Sequence, residues 1–238
     1  MKQSLLLLSL GFFSALQLAS AGDITGTITL KGTPPAEVDI GPTMTANNPD
    51  CAALYAAGTL PTTHFYAVGA KGELADVVVT LKGGDLKSTG ASAAPAVLDQ
   101  KGCIYVPQIF AVQTGQKIIV KNSDPCVHNV HPKPTVDGNT ESNLPQMPGG
   151  ADLTFTFDRP EAFLKFQCDV HSWMFAWVTV VDNPYFAVSD KDGKFTIKNV
   201  PPGKYTLQVA HRKLGPLTAD IEVKDTGAAT QDFTFTMK

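Results

Sequence analysis

No apolar run in this chain reaches the roughly 20 residues that a membrane-spanning helix needs, and the plainer alternative for its apolar start is an uncleaved N-terminal anchor. Positive charge is scarce and scattered. Nineteen Lys and Arg stand against 22 Asp and Glu, for a formal net charge of −3, and no basic stripe occurs anywhere. That excludes the electrostatic footprint of a nucleic-acid binder. The chain shows no His-Glu pair of the zinc-peptidase kind and no Ser or Cys nucleophile elbow, so the common hydrolase signatures are missing. It has no internal repeat and no low-complexity linker. Cysteine is limited to four residues.

What is present begins with an export signature. Lys2 precedes the short apolar run from Leu5 to Phe13, and Ala19-Ser20-Ala21 follows. A positive start, a short apolar segment and a small-x-small site make a secretory signal. Residues 1–21 are therefore expected to be removed, placing the protein in the bacterial periplasm with a mature start at Gly22. No transmembrane segment is expected after cleavage. In an exported protein four cysteines first read as two disulfides.

Nearly every periodic segment has period 2. Val77–Leu81, Leu153–Phe157, Phe195–Ile197, Tyr205–Val209 and Phe233–Met237 alternate, with β-branched and aromatic residues throughout. That pattern predicts half-buried antiparallel strands. Asp192-Gly193 and Pro201-Pro202-Gly203 supply turns. The single helix-like stretch is Asp50 to Ala57, and residues 132–150, rich in Pro and Gly, read as a long surface loop. The expected class is all-β.

Candidate chemistry gathers in residues 97–183. Cys168-Asp169-Val170-His171-Ser172-Trp173-Met174 is a Cys-x-x-His-x-x-Met run, and His128 stands upstream in Cys126-Val127-His128-Asn129-Val130 after the strand Gln116–Asn122. Two imidazoles, one thiolate and a weak thioether are a donor set that both oxidation states of copper accept. Taken singly, each residue has a plainer reading: His171 on the surface, Met174 as core filler, Cys168 as half of a disulfide.

These residues resemble the cupredoxin family of small blue copper proteins, plastocyanin and amicyanin among them. The short Cys-x-x-His-x-x-Met loop is similar to amicyanin's, and Asn122-x-x-Pro-x-x-His128-Asn129-Val130 to the plastocyanin segment that carries its first ligand. The resemblance implies a Greek-key β-sandwich over 97–183 and one mononuclear copper ion. It implies His128, Cys168, His171 and Met174 as ligands, and Asn129 as the tie between the two ligand-bearing loops. It also implies single-electron transfer between redox protein partners, without an enzymatic reaction. A periplasmic copper carrier or store, in which Cys126 and Met147 help hold Cu(I), is the alternative. An enzyme with an exchangeable copper position, or a degenerate domain used for envelope contacts, stands behind these.

Cys126 departs from the family pattern. Residues i and i+2 of an extended chain share a face, so its thiol approaches the site of His128. It reads equally as a free thiol or as a half-cystine with Cys51 or Cys103. The preferred pairing is Cys51–Cys103. His131 reads as a solvent-facing loop residue, and His64 and His211 as structural or surface residues. Trp173 and Trp177 flank the ligand loop and are expected to keep water from the metal. Gln108 is a further candidate for packing near it.

Residues 184–238 resemble the carboxypeptidase regulatory-like (transthyretin-like) β-sandwich, through Gly193-Lys194-Phe195 and Pro201-Pro202-Gly203-Lys204-Tyr205. The early strand of that family looks present as Ile24–Leu30, and its successor as Ala75–Val79. A 55-residue tail alone buries a thin core. The expected organisation is therefore one sandwich from 22–96 plus 184–238, with the copper domain inserted at 97–183. The alternative gives the N-terminal strands to the copper domain.

Overall fold

In the chain's computed structural model, residues 21–56, 59–225 and 227–237 are described. The expected export segment, Ala21 apart, lies outside them. Alternation becomes strand almost wherever it occurs. Before the site the strands are β1 (Gly22–Lys31), β2 (Val78–Lys82), β3 (Ala96–Gln100), β4 (Tyr105–Val106), β5 (Ile109–Gln113) and β6 (Ile118–Asn122). Around it run β7 (His128–Lys133), β8 (Leu144–Gln146), β9 (Leu153–Phe155), β10 (Glu161–Gln167) and β11 (Phe175–Val181). Beyond it come β12 (Phe186–Val188), β13 (Lys194–Val200), β14 (Gly203–His211), β15 (Gly215–Val223), β16 (Ala229–Thr230) and β17 (Phe233–Thr236). The protein is all-β apart from short helical turns, and among the described residues no helix is long and apolar enough to cross a membrane.

The strands form four sheets around two cores. One pair of sheets has the orders β5-β11-β10-β7-β8 and β4-β3-β6-β9. They enclose Leu98, Val120, Val130, Leu164, Phe166 and Val178. The other pair has β13-β1-β16, with β17 also on β1, and β12-β2-β14-β15. They enclose Ile24, Ile28, Val79, Leu81, Leu207 and Phe235. Thus β1 lies beside strands about 170 to 205 residues later, with Thr25 opposite Thr196 and Ile28 opposite Phe233, and β2 lies between β12 and β14. Strands β3 to β11 form the other unit between them in sequence. In β14 the inward positions Tyr205, Leu207, Val209 and His211 are buried, and their neighbours stand partly open, the period-2 signature of a strand with one buried face.

Residues 40–60 behave differently from the rest of 22–96. Ile40, Met44 and Cys51 are buried in the core enclosed by β3 to β11, with Tyr55 and Leu60 packed against it. The expectation grouped this stretch with the N-terminal strands by sequence position, but its apolar side chains pack on the other core. Helix begins earlier than the expected Asp50 and includes Asp50 to Ala52. The helical turns are α1 (Gly41–Asn47) and α2 (Pro49–Ala52), each with Pro in its first turn, where a missing N–H costs nothing. Ala57 lies outside the described residues. Within 132–150, β7 runs on to Lys133 and β8 pairs with it, so the expected loop is shorter than its composition implied.

Glycine is required where β1 changes partners. A Cβ on Gly26 would stand 1.9 Å from the Gln231 carbonyl oxygen and 2.7 Å from the Phe195 ring. We expect Gly26→Ala to destabilise the protein by about 1–3 kcal/mol, the usual cost of overpacking. Urea denaturation followed by circular dichroism checks this, and an unchanged midpoint would contradict the close approach.

Candidate metal centre

Strands β7 and β10 pair antiparallel, with Gln167 opposite His131 and Phe166 opposite Pro132. Alternation along β10 points Leu164 and Phe166 inward, and Cys168 just beyond its end is also buried. An irregularity between Glu161 and Leu164, with Phe163 at φ +53°, sets that phase. On β7 the same alternation buries His128 and Val130. The loop after β10 closes on itself. Cys168 N–H donates to the Met174 carbonyl (3.0 Å), and Met174 N–H donates to the His171 carbonyl (2.9 Å). Strand β11 starts directly after Met174, so the four candidate residues hang from strand ends.

The two imidazoles meet through their inner nitrogens. His128 Nδ1 and His171 Nδ1 are 2.9 Å apart, with ring planes at 70°. Cys168 Sγ lies 3.7 Å from His171 Nδ1, and ligand atoms of His128, Cys168 and His171 all fall within 4.8 Å of one another. All three residues are buried, as is Met174. Burial alone would raise the Cys168 thiol. Hydrogen bonds from His128, His171 and the Asn129 N–H (3.4 Å) outweigh it and bring the thiol down to about 6. The side chains present therefore fit a soft, low-coordinate cation of the copper type, with two nitrogens and a thiolate converging on one point and no carboxylate among them.

The outer nitrogens are engaged from behind. His128 Nε2 lies 2.9 Å from Asp124 Oδ2, and a carboxylate only accepts. A proton therefore sits on Nε2. The Asp124 carboxylate also accepts from the N–H groups of Gly102 (2.6 Å) and Cys103 (2.7 Å). Burial would raise Asp124, but the His128 bond and these backbone N–H groups hold it below the usual carboxylate range. His171 Nε2 lies 2.7 Å from Asn48 Nδ2, the donor nitrogen of that amide. Asn48 is also the N-cap of α2, accepting from Cys51 N–H.

Cys51 and Cys103 form a disulfide, and Cys126 and Cys168 are free. Asn129 Oδ1 accepts from Asp169 N–H, joining the His128 strand to the Cys168 loop. Trp173 packs on His171 at 5.1 Å between ring centroids, and its Nε1–H donates to the Cys103 carbonyl. Cys126 Sγ lies 3.6 Å from His128 Nε2, on the imidazole's outer side.

Other expectations need correction. His131 is not solvent-facing: it sits between Asp169 (2.8 Å) and Glu141 (2.7 Å). Trp177 does not shield this centre. Arg212 stacks on its ring at 4.4 Å, and Trp177 lines a small cleft with Gln108, His64 and His211, where the two units meet. Gln108 holds Trp177 N–H through its carbonyl. His211 is buried and stacks on Tyr66, and burial brings its imidazole down to about 4. Met147 is exposed. Sequence reasoning missed Asn48 and Asp124. Asp124 lies four residues before His128 and was the findable one. Asn48 is 123 residues from its partner and carried no sign beyond an Asn-Pro cap.

Residues 175–237 match the family model of the carboxypeptidase regulatory-like domain. No curated protein matches the chain. Solved structures similar to it are cupredoxins or contain copper. The Cu-containing nitrite reductase (NirK) from Thermus scotoductus SA-01 is 17% identical over 43% of this chain, with a TM-score of 0.34, and the match spans only 25% of the reductase. A mutant amicyanin in its Cu(I) form is 20% identical over 43% of this chain and 97% of its own, with a TM-score of 0.33. A purple cupredoxin from Nitrosopumilus maritimus is 22% identical over 36% and 98%, with a TM-score of 0.30.

Two outcomes are expected. Asp124→Asn should weaken metal binding about 10–100-fold, the usual effect of losing a ligand's supporting partner, as read by chelator competition. In the metal-free protein the lowered Asp124 contributes stability that is present above its unfolded value near 3.9 and is lost as pH falls below it. The urea midpoint of the variant should accordingly change less on acidification. Separately, thiolate ultraviolet absorbance of metal-free Cys126→Ser should titrate near pH 6 for Cys168. A midpoint at the ordinary thiol value would rule out the hydrogen bonds described.

Proposed function

We propose that this chain is a periplasmic type 1 copper protein that carries single electrons between redox partners. The observation that carries the reading is the meeting of two imidazole Nδ1 atoms and the Cys168 sulfur in one buried pocket. On this reading His128, Cys168, His171 and Met174 are the ligands, Met174 closing the loop that bears two of the others. Bound copper would supply one-electron exchange at a site whose donors suit both of its oxidation states. The protein's part is to hold those donors still. Asp124 fixes the proton of His128 on the outer nitrogen, the Asn129 N–H favours Cys168 as thiolate, and the loop hydrogen bonds limit movement.

Burial of all four side chains leaves no open coordination face for a substrate, which favours a carrier of electrons over an enzyme. Export agrees with the Cys51–Cys103 disulfide, a bond that persists in oxidising compartments. We read the remainder as a single regulatory-like sandwich that flanks the copper unit, built from β1 and β2 together with β12–β17.

The test is spectroscopic. Protein purified with Cu(II) should show an intense visible thiolate-to-copper band. Cys168→Ser should abolish it, and Cys126→Ser should keep it with a shift at most. A colourless wild type that nonetheless holds Cu(I) tightly would favour the carrier or storage reading.

A further inference from the structure

The sulfurs not used at the candidate centre are close together. Cys126 Sγ is 3.5 Å from Cys103 Sγ, and Cys103 is bonded to Cys51. These three atoms lie behind the two imidazoles: Cys51 Sγ is 3.6 Å from His171 Nε2, and Cys126 Sγ is 3.6 Å from His128 Nε2. They occupy the outer side of the rings, opposite the Nδ1 atoms that face Cys168. Cys51 and Cys103 are fully buried, and Cys126 is half-buried, forming the approach from solvent.

We propose that reduction of the Cys51–Cys103 disulfide creates a second metal site, selective for Cu(I), from the sulfurs of Cys51, Cys103 and Cys126. A thiolate–metal bond of about 2.3 Å puts the sulfurs of a trigonal set about 4 Å apart. Cys103 and Cys126 already stand near that separation. The disulfide holds Cys51 and Cys103 too close for it and leaves neither a thiolate, so the site is absent while the bond is intact. Soft thiolates select Cu(I). The neighbouring Asp124 carboxylate is already engaged by two backbone N–H groups and by His128 Nε2. Three-coordination suits Cu(I), whereas Zn(II) closes a tetrahedron.

The chemistry balances with a dithiol reductant. Two electrons and two protons pass from the dithiol, which becomes a disulfide, to Cys51 and Cys103. Cu(I) then displaces the thiol protons to solvent and keeps its oxidation state. The inference does not rest on Cys168 being a ligand.

The full chain, anaerobic, is treated with dithiothreitol, freed of it, and titrated with Cu(I) against bicinchoninate, beside untreated protein. Reduction is expected to add one equivalent of bound Cu(I), and this increment is the readout whichever count the untreated protein gives. Cys126→Ser keeps two of the three sulfurs after reduction and should hold the extra equivalent at least about 10-fold more weakly, and Cys168→Ser should keep it unchanged. Cys51→Ser has no disulfide to reduce and retains Cys103 and Cys126. It should take the extra equivalent without reductant, at least about 10-fold more weakly given one donor fewer. No increment in the reduced wild type together with none in Cys51→Ser overturns the proposal. So does an increment whose affinity Cys126→Ser leaves unchanged, or a site that Zn(II) fills in preference to Cu(I).

Discussion

The candidate centre depends on two imidazoles being turned so that their inner nitrogens face one another. Left alone, two buried rings 2.9 Å apart at nitrogen would rotate away or share a proton. Here each outer nitrogen is held from behind, by Asp124 on one ring and Asn48 on the other. Asp124 is itself fixed by two backbone N–H groups of the turn around Gly102 and Cys103, and that turn is fastened to α2 by the disulfide. Orientation of the nitrogens thus reaches back through the carboxylate and the turn to a cystine. Outer-sphere support of this kind sets both affinity and tautomer.

The local part of this arrangement was legible in the sequence. Cys168, His171 and Met174 share seven residues, so their spacing alone places them on one loop, and the alternation of Leu164, Phe166 and Cys168 shows which face that loop leaves from. The strands over 194–200 and 203–211 were equally plain, because one buried face imposes period 2. What could not be read depends on contacts between distant segments. Asn48 meets His171 across 123 residues. His131 looked exposed because its two carboxylate partners, Asp169 and Glu141, come from different loops. Trp177 is three residues from Met174, yet strand alternation carries it to the opposite side of β11, where Arg212 covers it. The backbone turn at Phe163, with positive φ in a bulky residue, has no composition cue at all.

Residues 40–60 show how packing overrides sequence order. They follow β1 by a few residues and precede β2, both strands around one core, yet Met44 and Cys51 are fully buried in the other core. Short helices such as α1 and α2 have little stability of their own. They are kept by what they cover, which here includes the outer edge of His171.

The partners of β1 and β2 all follow β11 in the chain, whereas β3 to β11 find their partners among themselves. A polypeptide emerging from its N-terminus therefore presents Ile24, Ile28, Val79 and Leu81 on strands whose ladder partners have yet to be made, while the sheets around His128 and Cys168 can already close. Unpaired strands with apolar faces invite wrong neighbours, and the interval lasts until β12 to β17 have been made. The molecule becomes whole from its middle outwards, with its outermost strands the last to be joined.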